Sequence, residues 1–371
     1  MSASRPDVAV VGAGIVGAAC AEALAGRGRK VEIFETRFPG SGSTASAMGH
    51  IVVLDDSEAQ FALSSYSRTL WERRTDELPA EVEDVAAGTL WIAANEEEMS
   101  HVRAKAAFYG ARGVKTEILD PKGLAECEPN LRPGLAGGLR VPGDRVLYPP
   151  AAARWLLSSA EGRGARVRQE EVLEVGPGFV RSSAGRTDFG TVVVAAGAAS
   201  PSLLPGLPVV PKKGHLLITD RAPGFCRHQL IELGYLKSAH GGARESVAFN
   251  LQPRATGQML LGSSREVVGF DASVNRPLVA RMVRRAIEYL PSIGALPVLR
   301  TWTGFRPATP DNLPLIGRWP ALRDVWVAAG HEGLGITTSL GTASLIASLV
   351  LGEPPSIDPF PYAPDRRTPH G

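Results

Sequence analysis

Short apolar runs alternate with amphipathic stretches at the start of the chain. Residues 8–11 form an apolar run, a glycine turn follows, residues 15–26 have the Ala-rich composition of a buried helix, and residues 31–35 form a second apolar run. This order of strand, turn, helix and strand predicts the start of a parallel βαβ unit. Residues 39–49 consist largely of Gly, Ser, Thr and Ala, which predicts a loop.

The rest of the chain divides into helical and extended patterns. Apolar residues at helical spacing predict helices over 58–78, 96–111, 121–128, 149–162, 275–290 and 336–351. Extended patterns predict strands over 88–94, 167–175, 179–182, 191–196, 249–252, 259–262, 298–305 and 325–329. Alternating patterns recur between residues 214 and 266, with a hairpin turn around 254–257, so this part is expected to form antiparallel sheet.

These patterns predict an α/β fold in two domains that meet at a cleft. Strands and helices alternate near the start, the middle and the end of the chain, and the antiparallel pattern lies between them. We expect one domain, discontinuous in sequence, from residues 1–85, 143–208 and 305–371. A second, inserted α+β domain built on an antiparallel sheet is expected from residues 86–142 and 209–304.

Composition excludes several classes of protein. The 371 residues include 40 Lys and Arg against 38 Asp and Glu, and this net charge of +2 gives no basic field for binding nucleic acid. The three cysteines, Cys20, Cys127 and Cys226, are far apart and form no CxxC pair, so neither a disulfide scaffold nor a metal or iron–sulfur site is expected. A reducing, cytoplasmic environment fits this cysteine usage.

The uncharged stretch 333–352 has the length of a membrane helix. Its Gly, Thr and Ser residues dilute the hydrophobicity, so we interpret it as a buried helix of an α/β core and expect no transmembrane segment.

A glycine motif marks the first strand-to-helix turn. The run GAGIVG at 12–17 lets the backbone turn tightly and presents helix N-terminal N–H groups to a pyrophosphate. Glu35, at the end of the second strand, can accept hydrogen bonds from a ribose and would repel a 2′-phosphate, which favours FAD or NAD over NADP. The alternative is an ordinary glycine-rich turn. The predicted cofactor-binding residues here are Gly12, Gly14, Ile15, Val16, Gly17 and Glu35.

Two motifs near the end of the chain separate FAD from NAD. The runs TGFRPATPDNLPLIG at 303–317 and AAGHEGLGIT at 328–337 resemble the closing signature of the D-amino-acid oxidase-like FAD oxidoreductases. The resemblance extends to the first glycine motif, to VVVAAG at 192–197 and to the hairpin 251–262, and so covers most of the chain. It implies a Rossmann-type FAD-binding domain with an inserted substrate domain.

The resemblance also implies further cofactor contacts. The turn 330–335 leads directly into a helix, so its N–H groups and the positive end of the helix dipole are expected to face the flavin pyrimidine. The alternative is a glycine-rich connection without a ligand. Sarcosine oxidases hold their flavin through a late Cys, but no Cys follows Cys226 here, so we expect noncovalent FAD. The added cofactor residues are Thr44, Ala45, Gly197, Gly330, Gly333, Leu334, Gly335 and Ile336.

Arg306 is the main candidate for substrate binding. It follows the predicted strand 298–305 and precedes Pro307, which is expected to hold it at a strand end beside the cleft. A guanidinium can bind a carboxylate through two parallel hydrogen bonds, and in the relatives the Arg of the matching Gly-x-Arg-Pro motif binds the amino-acid carboxylate. The alternative is a surface or interdomain ion pair.

Several other polar residues are candidates for the substrate pocket. They are His50, Tyr235, His240, His331 and Glu332. His331 lies within the flavin-loop motif and is the first candidate for a general base, although a lone His is more often a hydrogen-bonded structural residue.

Within the family the chain looks most like the D-hydroxyproline and D-amino-acid dehydrogenases, and next like the glycine and sarcosine oxidases. Glycine oxidases carry an Arg shortly after the tail His, whereas this chain has Glu332 and glycines. The resemblance implies oxidation of a small amino or imino acid, such as D-hydroxyproline or D-proline, by hydride transfer from Cα to flavin N5.

The electron acceptor and the cellular setting stay open at this point. Oxygen, a quinone or a partner subunit with an iron–sulfur centre could accept the electrons, and such a partner would place the protein at the membrane surface. The alternatives to the dehydrogenase are a glycine- or sarcosine-type oxidase, an NAD-dependent dehydrogenase and a non-catalytic flavin-binding subunit of a redox complex.

Overall fold

The computed structural model describes residues 6–234 and 245–366. The strands are β1 Val8–Val11, β2 Val31–Phe34, β3 His50–Ile51, β4 Thr89–Ala93, β5 Glu117–Leu119, β6 Gly137–Val141, β7 Arg145–Val146, β8 Arg166–Arg168, β9 Val172–Gly176, β10 Phe179–Ser182, β11 Gly185–Asp188, β12 Thr191–Val194, β13 Val210–Thr219, β14 Gln229–Glu232, β15 Glu245–Pro253, β16 Met259–Glu266, β17 Val298–Ala308, β18 Leu315–Arg318 and β19 Val325–Ala329. The α-helices are Ile15–Ala25, Gly42–Ala45, Glu58–Glu72, Glu96–Gly110, Pro121–Cys127, Pro149–Glu161, Ser200–Leu203, Arg276–Tyr289 and Gly335–Leu351.

A six-stranded sheet with the order β18-β19-β12-β1-β2-β8 forms the first layer of the fold. Its strands are parallel, except that β18 runs antiparallel to β19. The middle strand β1 is apolar and fully buried because both of its faces are covered, as expected for a parallel sheet. The helix Ile15–Ala25 follows β1 directly and contributes most of its residues to the core on one face. The predicted βαβ start is confirmed.

An eight-stranded sheet with the order β17-β13-β16-β15-β14-β4-β6-β5 forms the second part. Its pairs are antiparallel, except that β14 and β4 are parallel. The helix Arg276–Tyr289 covers one face, where Tyr289 stacks on Phe249 of β15 with ring centroids 4.9 Å apart. Since Phe249 and Leu251 point to that helix, Asn250 between them faces the opposite side of the sheet.

Strands of the first sheet come from the start, the middle and the end of the chain, and the second sheet is inserted between them. The predicted fold class is therefore confirmed as an α/β Rossmann-type domain, discontinuous in sequence, with an inserted α+β part. The residue boundaries of the two domains remain predictions.

One predicted strand is wrong. The segment 167–175 is two strands in two different sheets, because β8 pairs with β2 and β9 pairs with β10. The chain turns between them, where the N–H of Glu170 donates to the carbonyl of Arg168 at 3.0 Å and the two side chains form an ion pair. The sequence pattern did not reveal this turn, because the residues of the turn are neither Gly nor Pro.

The helix Gly335–Leu351 is buried, as its sequence predicted. It packs against the helix Glu58–Glu72, where a β carbon at Gly341 would lie 3.0 Å from the β carbon of Ser67. Its small residues allow this close approach. Within the described parts of the chain, no helix is both long enough and apolar enough to span a membrane.

Candidate active site

Two glycines shape the turn after β1. Gly12 has φ +104°, and a β carbon there would lie 2.5 Å from the carbonyl oxygen of Ala195, which follows β12. A β carbon at Gly17 would lie 1.9 Å from the carbonyl oxygen of Gly12. Larger residues are sterically excluded at both positions, so the strand, the turn and the helix approach each other as a dinucleotide-binding turn requires.

Glu35 lies immediately after β2 and beside this turn. Its carboxylate accepts hydrogen bonds from the N–H of Ala13 and the N–H of Arg37, both at 2.9 Å. The hydroxyl of Thr44 accepts a hydrogen bond from the N–H of Ile15 at 3.0 Å. The carboxylate of Glu35, the hydroxyl of Thr44 and the N-terminus of the first helix therefore surround one turn. Together they offer hydrogen-bond acceptors that suit a ribose and N–H donors that suit a pyrophosphate.

Two other predicted cofactor residues lie near this turn. Ala45 is exposed in the short helix that contains Thr44. Gly197 has φ +56°, and open space surrounds the position that its β carbon would occupy. The chain segment that contains Gly197 follows Ala195, which contacts Gly12.

The second glycine turn adjoins the first. A β carbon at Gly335, the first residue of the C-terminal helix, would lie 3.7 Å from a methyl group of Val16 in the first helix. Ile15 and Ile336 are buried in the same core. Two helices from opposite ends of the chain thus begin side by side, and the N–H groups of a helix N-terminus suit the phosphates and the polar ring edge of FAD.

The turn itself is tightly constrained at Gly330. This residue has φ +81°, and a β carbon would lie 2.5 Å from the methyl group of Thr309. The N–H of Leu334 donates to the carbonyl of His331 at 2.9 Å, which closes the turn before the helix begins. These contacts hold the N–H groups at the start of the helix in place.

Arg306 lies inside β17, not at its end as predicted. The strand continues through Pro307 to Ala308, because these residues keep their register with β13, in which Lys212 pairs with Arg306. The guanidinium crosses Gly214 of β13, where a β carbon would lie 2.3 Å from Nη1, and donates to the carbonyl of Ser264 in β16 at 2.9 Å. A β carbon at Gly333 would lie 3.8 Å from its Nε. Arg306 therefore lies between the sheet and the second glycine turn.

Glu332 lies among three cationic side chains. Its carboxylate is 3.5 Å from Nε of Arg265 and 3.8 Å from Nζ of Lys212, and Arg306 also acts on it electrostatically. Burial alone would raise the pKa of Glu332, but the positive charges of these three residues lower it to about 2. Glu332 is therefore ionised at neutral pH. Its single negative charge is smaller than the total positive charge of the three cationic side chains around it.

The two described histidines among the candidates are neutral. Burial lowers the pKa of His331 to about 3, and its Nε2 lies 3.0 Å from the hydroxyl of Thr342 in the C-terminal helix. Burial also lowers the pKa of His50 to about 3, and its Nε2 has no hydrogen-bond partner among the described residues. Tyr235 and His240 lie outside the described residues.

A segment of the first domain crosses the face of the eight-stranded sheet on which Arg306 lies. A β carbon at Gly304 of β17 would lie 2.4 Å from the β carbon of Ser46. Further along the segment, the N–H of Gly49 donates to Oε1 of Gln252 in β15 at 2.8 Å. Residues 46–49 therefore span the sheet between the Arg306 strand and β15.

Sequence reasoning missed four residues of this site: Lys212, Gly214, Ser264 and Arg265. A glycine inside a strand often marks the close approach of another group, so Gly214 carried a usable signal. Lys212 and Arg265 interrupt the apolar alternation of their strands, which is a visible signal. The sequence does not show that both contact Glu332, because that contact depends on the pairing of distant strands.

Comparison with known proteins identifies the family of the chain. Residues 7–349 match the family described as DAO: FAD dependent oxidoreductase. The chain is 30% identical over 380 residues to glycine oxidase from Geobacillus kaustophilus (strain HTA426), covering 97% of this chain and 96% of that protein. It is 30% identical over 320 residues to D-amino acid dehydrogenase from Xanthobacter autotrophicus, covering 80% of this chain and 71% of that protein.

Solved structures show the same fold. The crystal structure of the Geobacillus kaustophilus glycine oxidase superimposes with a TM-score of 0.89 at 28% identity and covers 98% of this chain and 99% of its own. That of L-proline dehydrogenase from P. horikoshii superimposes with a TM-score of 0.87 at 25% identity and covers 97% of both chains. The protein is thus an FAD-dependent amino-acid oxidase or dehydrogenase that acts on a C–N bond. The chain belongs to the DAO family of FAD-dependent oxidoreductases.

Proposed function

We propose that the protein oxidises a small amino or imino acid to the imine, with D-hydroxyproline or D-proline as the substrate. The observation that carries this proposal is the position of Arg306. Its guanidinium lies on the face of the substrate sheet that is turned towards the first domain, next to Gly333 of the second glycine turn. A carboxylate bound there would hold the α carbon beside the turn that we assign to the flavin.

The charges around Arg306 support the binding of a carboxylate. Arg265 and Lys212 add positive charge, and Glu332 offsets only part of it. The carboxylate of Glu332 also accepts a hydrogen bond from the N–H of Gly333 at 2.6 Å. Glu332 therefore contacts both the cationic side chains and the second glycine turn. An anionic substrate is therefore attracted to this place, and its planar carboxylate matches the guanidinium fork.

The protein contributes placement rather than a dedicated base. When bound, FAD supplies the acceptor for the hydride that leaves the substrate α carbon. Arg306 holds the substrate carboxylate, and the eight-stranded sheet excludes water from one side of the site. His331 is buried, neutral and hydrogen-bonded to Thr342, so we assign it a structural role. The substrate amine is expected to lose its proton to solvent before oxidation.

The names of the relatives support the substrate class. One relative is a D-amino acid dehydrogenase, and one structural neighbour is an L-proline dehydrogenase. The second candidate is a glycine- or sarcosine-type oxidase, which the glycine oxidase relative favours. The chain itself departs from glycine oxidases at Glu332, where the acidic side chain and the following glycines replace a cation.

The first test is anaerobic reduction of the bound flavin by a panel of D-, L- and N-substituted small amino acids. Arg306→Lys keeps the charge but loses the bidentate geometry, so we expect it to keep its FAD and to lose substrate affinity by about 10- to 100-fold. Arg281→Lys, on the exposed face of the helix Arg276–Tyr289, is the matched control. If no amino acid bleaches the flavin, the protein is a non-catalytic flavin-binding subunit.

The electron acceptor needs a separate measurement. We propose a cytoplasmic dehydrogenase that passes electrons to a quinone or to a partner subunit, which would have to supply any iron–sulfur centre and would place the protein at the membrane surface. The scattered cysteines of the chain offer no ligand set for an iron–sulfur centre, which is why a partner would have to bring it. Stopped-flow mixing of the reduced protein with air-saturated buffer tests this proposal. Slow reoxidation supports the dehydrogenase, and fast reoxidation supports the oxidase.

A further inference from the structure

A bulge interrupts the pairing of β13 with β16 beside Arg306. Residues 214–216 of β13 lie opposite residues 262–265 of β16, because β16 has one residue more than β13 between the regular pairs on either side. Within this interval, the N–H of His215 donates to the side-chain hydroxyl of Ser264 at 3.0 Å. In a regular ladder such an N–H would bind a backbone carbonyl of the neighbouring strand. Side-chain hydrogen bonds thus hold Ser264 at a place where the regular ladder is interrupted.

The imidazole ring of His215 contacts the same hydroxyl. Its Nδ1 lies 2.8 Å from Oγ of Ser264. On the other side of the ring, Nε2 accepts a hydrogen bond from the N–H of Asn275 at 3.0 Å. Asn275 caps the helix Arg276–Tyr289, where its side chain accepts from the N–H of Leu278 at 3.1 Å. The ring is therefore fixed at both nitrogens, with one against the serine hydroxyl and the other against the start of a helix.

The ring of His215 is neutral, with its proton on Nδ1. His215 is 0% exposed, and burial lowers its pKa. The positive charges of Lys213 and Arg306 lower this pKa further, whereas the negative charge of Glu266 acts in the opposite direction. A backbone N–H can only donate, so Nε2, which accepts from Asn275, carries no proton. The proton of the neutral ring is therefore on Nδ1, and Nδ1–H is the donor to the serine hydroxyl.

Ser264 connects His215 to Arg306 across the sheet. The carbonyl of Ser264 accepts the hydrogen bond from Nη1 of Arg306 at 2.9 Å. Arg306 crosses Gly214, so His215, the next residue of β13, points to the other face, where the helix that Asn275 caps covers the sheet. A change at His215 would shift Ser264 and with it the carbonyl that accepts from the guanidinium.

Building on the proposed function, in which Arg306 binds the substrate carboxylate, we infer that His215 is a positioning residue for the reaction. The backbone N–H and the Nδ1–H of His215 hold the hydroxyl of Ser264, and the carbonyl of Ser264 holds the guanidinium of Arg306. Affinity for the substrate carboxylate therefore depends on the hydrogen bond from the ring to Ser264. It does not depend on the bond from Asn275 to the ring.

Two substitutions separate the hydrogen bonds of the ring. Nδ2 of an asparagine is as many bonds from Cα as Nδ1 of histidine, so His215→Asn keeps a donor to Ser264. Oε1 of a glutamine is as many bonds from Cα as Nε2 of histidine, so His215→Gln keeps an acceptor for Asn275 but loses the donor to Ser264. We expect His215→Asn to bind carboxylates as the wild type does and His215→Gln to bind them about 10-fold more weakly, the equivalent of one hydrogen bond.

The measurement is an absorbance titration of the bound flavin. The ligand is tetrahydrofuran-2-carboxylate, the oxygen analogue of proline, which carries the carboxylate but has no amine to oxidise. His228→Gln is the matched control, because His228 is also buried, and its Nδ1 lies 2.8 Å from Oε1 of Glu128. It precedes β14, which is three strands from β13, so the control should bind the ligand with wild-type affinity.

A double-mutant cycle shows whether His215 acts through Arg306. In Arg306→Lys the guanidinium that the carbonyl of Ser264 holds is gone, so adding His215→Gln should weaken binding of the ligand no further. Losses that multiply would mean that His215 acts independently of Arg306.

Chemical modification tests the positioning without a ligand or turnover. Phenylglyoxal reacts with guanidinium groups, and mass spectrometry of peptides gives the rate at Arg306. This rate should rise by about 10-fold in His215→Gln, where the guanidinium is held less firmly, and stay at the wild-type value in His215→Asn. Arg281, on the exposed face of the helix Arg276–Tyr289, should react at the same rate in every variant.

Each outcome bears on a different claim. Equal affinities of His215→Asn and His215→Gln, or losses that multiply in the cycle, would overturn the positioning role and leave the proposed function intact. Failure of every amino acid to reduce the flavin would overturn the proposed function, and the rates of modification at Arg306 would still test the positioning role. If His215→Gln does not fold, Ser264→Ala serves in its place, because it removes the same hydrogen bond from the other side.

Discussion

The guanidinium of Arg306 lies directly over Gly214 of the neighbouring strand, where a β carbon would be 2.3 Å from Nη1. The absence of a side chain at 214 is thus what lets Arg306 cross β13 and reach β16. Gly214→Ala should displace the guanidinium and lower kcat/KM by about 100-fold, the effect expected of a shift of about 1 Å in a substrate-binding group. Steady-state kinetics and FAD content check this prediction.

A glycine without neighbours provides the control for this substitution. Gly110, at the end of the helix Glu96–Gly110, has open space around the position of its β carbon. Gly110→Ala should leave kcat/KM unchanged and should not lower stability, since Ala favours the helix. Wild-type kinetics in Gly214→Ala would show that Arg306 does not bind the substrate from this position.

The carboxylate of Glu332 should make the stability depend on pH in the acid range. Its pKa is about 2 in the folded protein against an ordinary value of 4.5, so its ionised form stabilises the fold above pH 4.5, by about 3 kcal/mol, and this contribution disappears as the pH falls towards 2. Glu332→Gln should lower the urea midpoint at pH 7 and have little effect near pH 2. A difference between the two proteins that does not change with pH would contradict the assigned pKa.

His331 should have no role in proton transfer. Its ring is neutral above pH 3 and is hydrogen-bonded to Thr342, so the pH dependence of flavin reduction between pH 6 and 10 should have the same shape in His331→Ala as in the wild type. The variant should lose about 1 kcal/mol or more of stability because Thr342 loses its partner. Loss of a kinetic pKa in this variant would instead identify His331 as the base.

Glu35 should control FAD affinity. Its two carboxylate oxygens accept from Ala13 and Arg37, and Gln has only one acceptor oxygen to offer. Glu35→Gln should weaken FAD binding to the apoprotein by about 10-fold, measured by quenching of FAD fluorescence. Glu32→Gln is the matched control, because Glu32 lies in β2, the strand that Glu35 follows, but pairs with Arg168. Equal affinities of both variants would place the adenosine elsewhere.

Local chemistry predicted much of the fold and of the cofactor site. Gly17 is required by a steric contact with Gly12, five residues before it, the two glycines belong to one contiguous motif, and the helix that follows has a continuous pattern of small apolar residues. Such signals lie in consecutive residues, so one sequence suffices to read them. The same holds for the second glycine turn and for β19, which the structure places as predicted.

The sequence alone determined that two glycine turns would each start a buried helix, because turn conformation and helical periodicity are local properties of the chain. Only the tertiary structure decided that Arg306 lies within a strand and that Glu332 meets Arg265 and Lys212. These relationships depend on the order and register of strands that are far apart in sequence. Long-range pairing is set by the packing of the whole sheet, which no short pattern encodes.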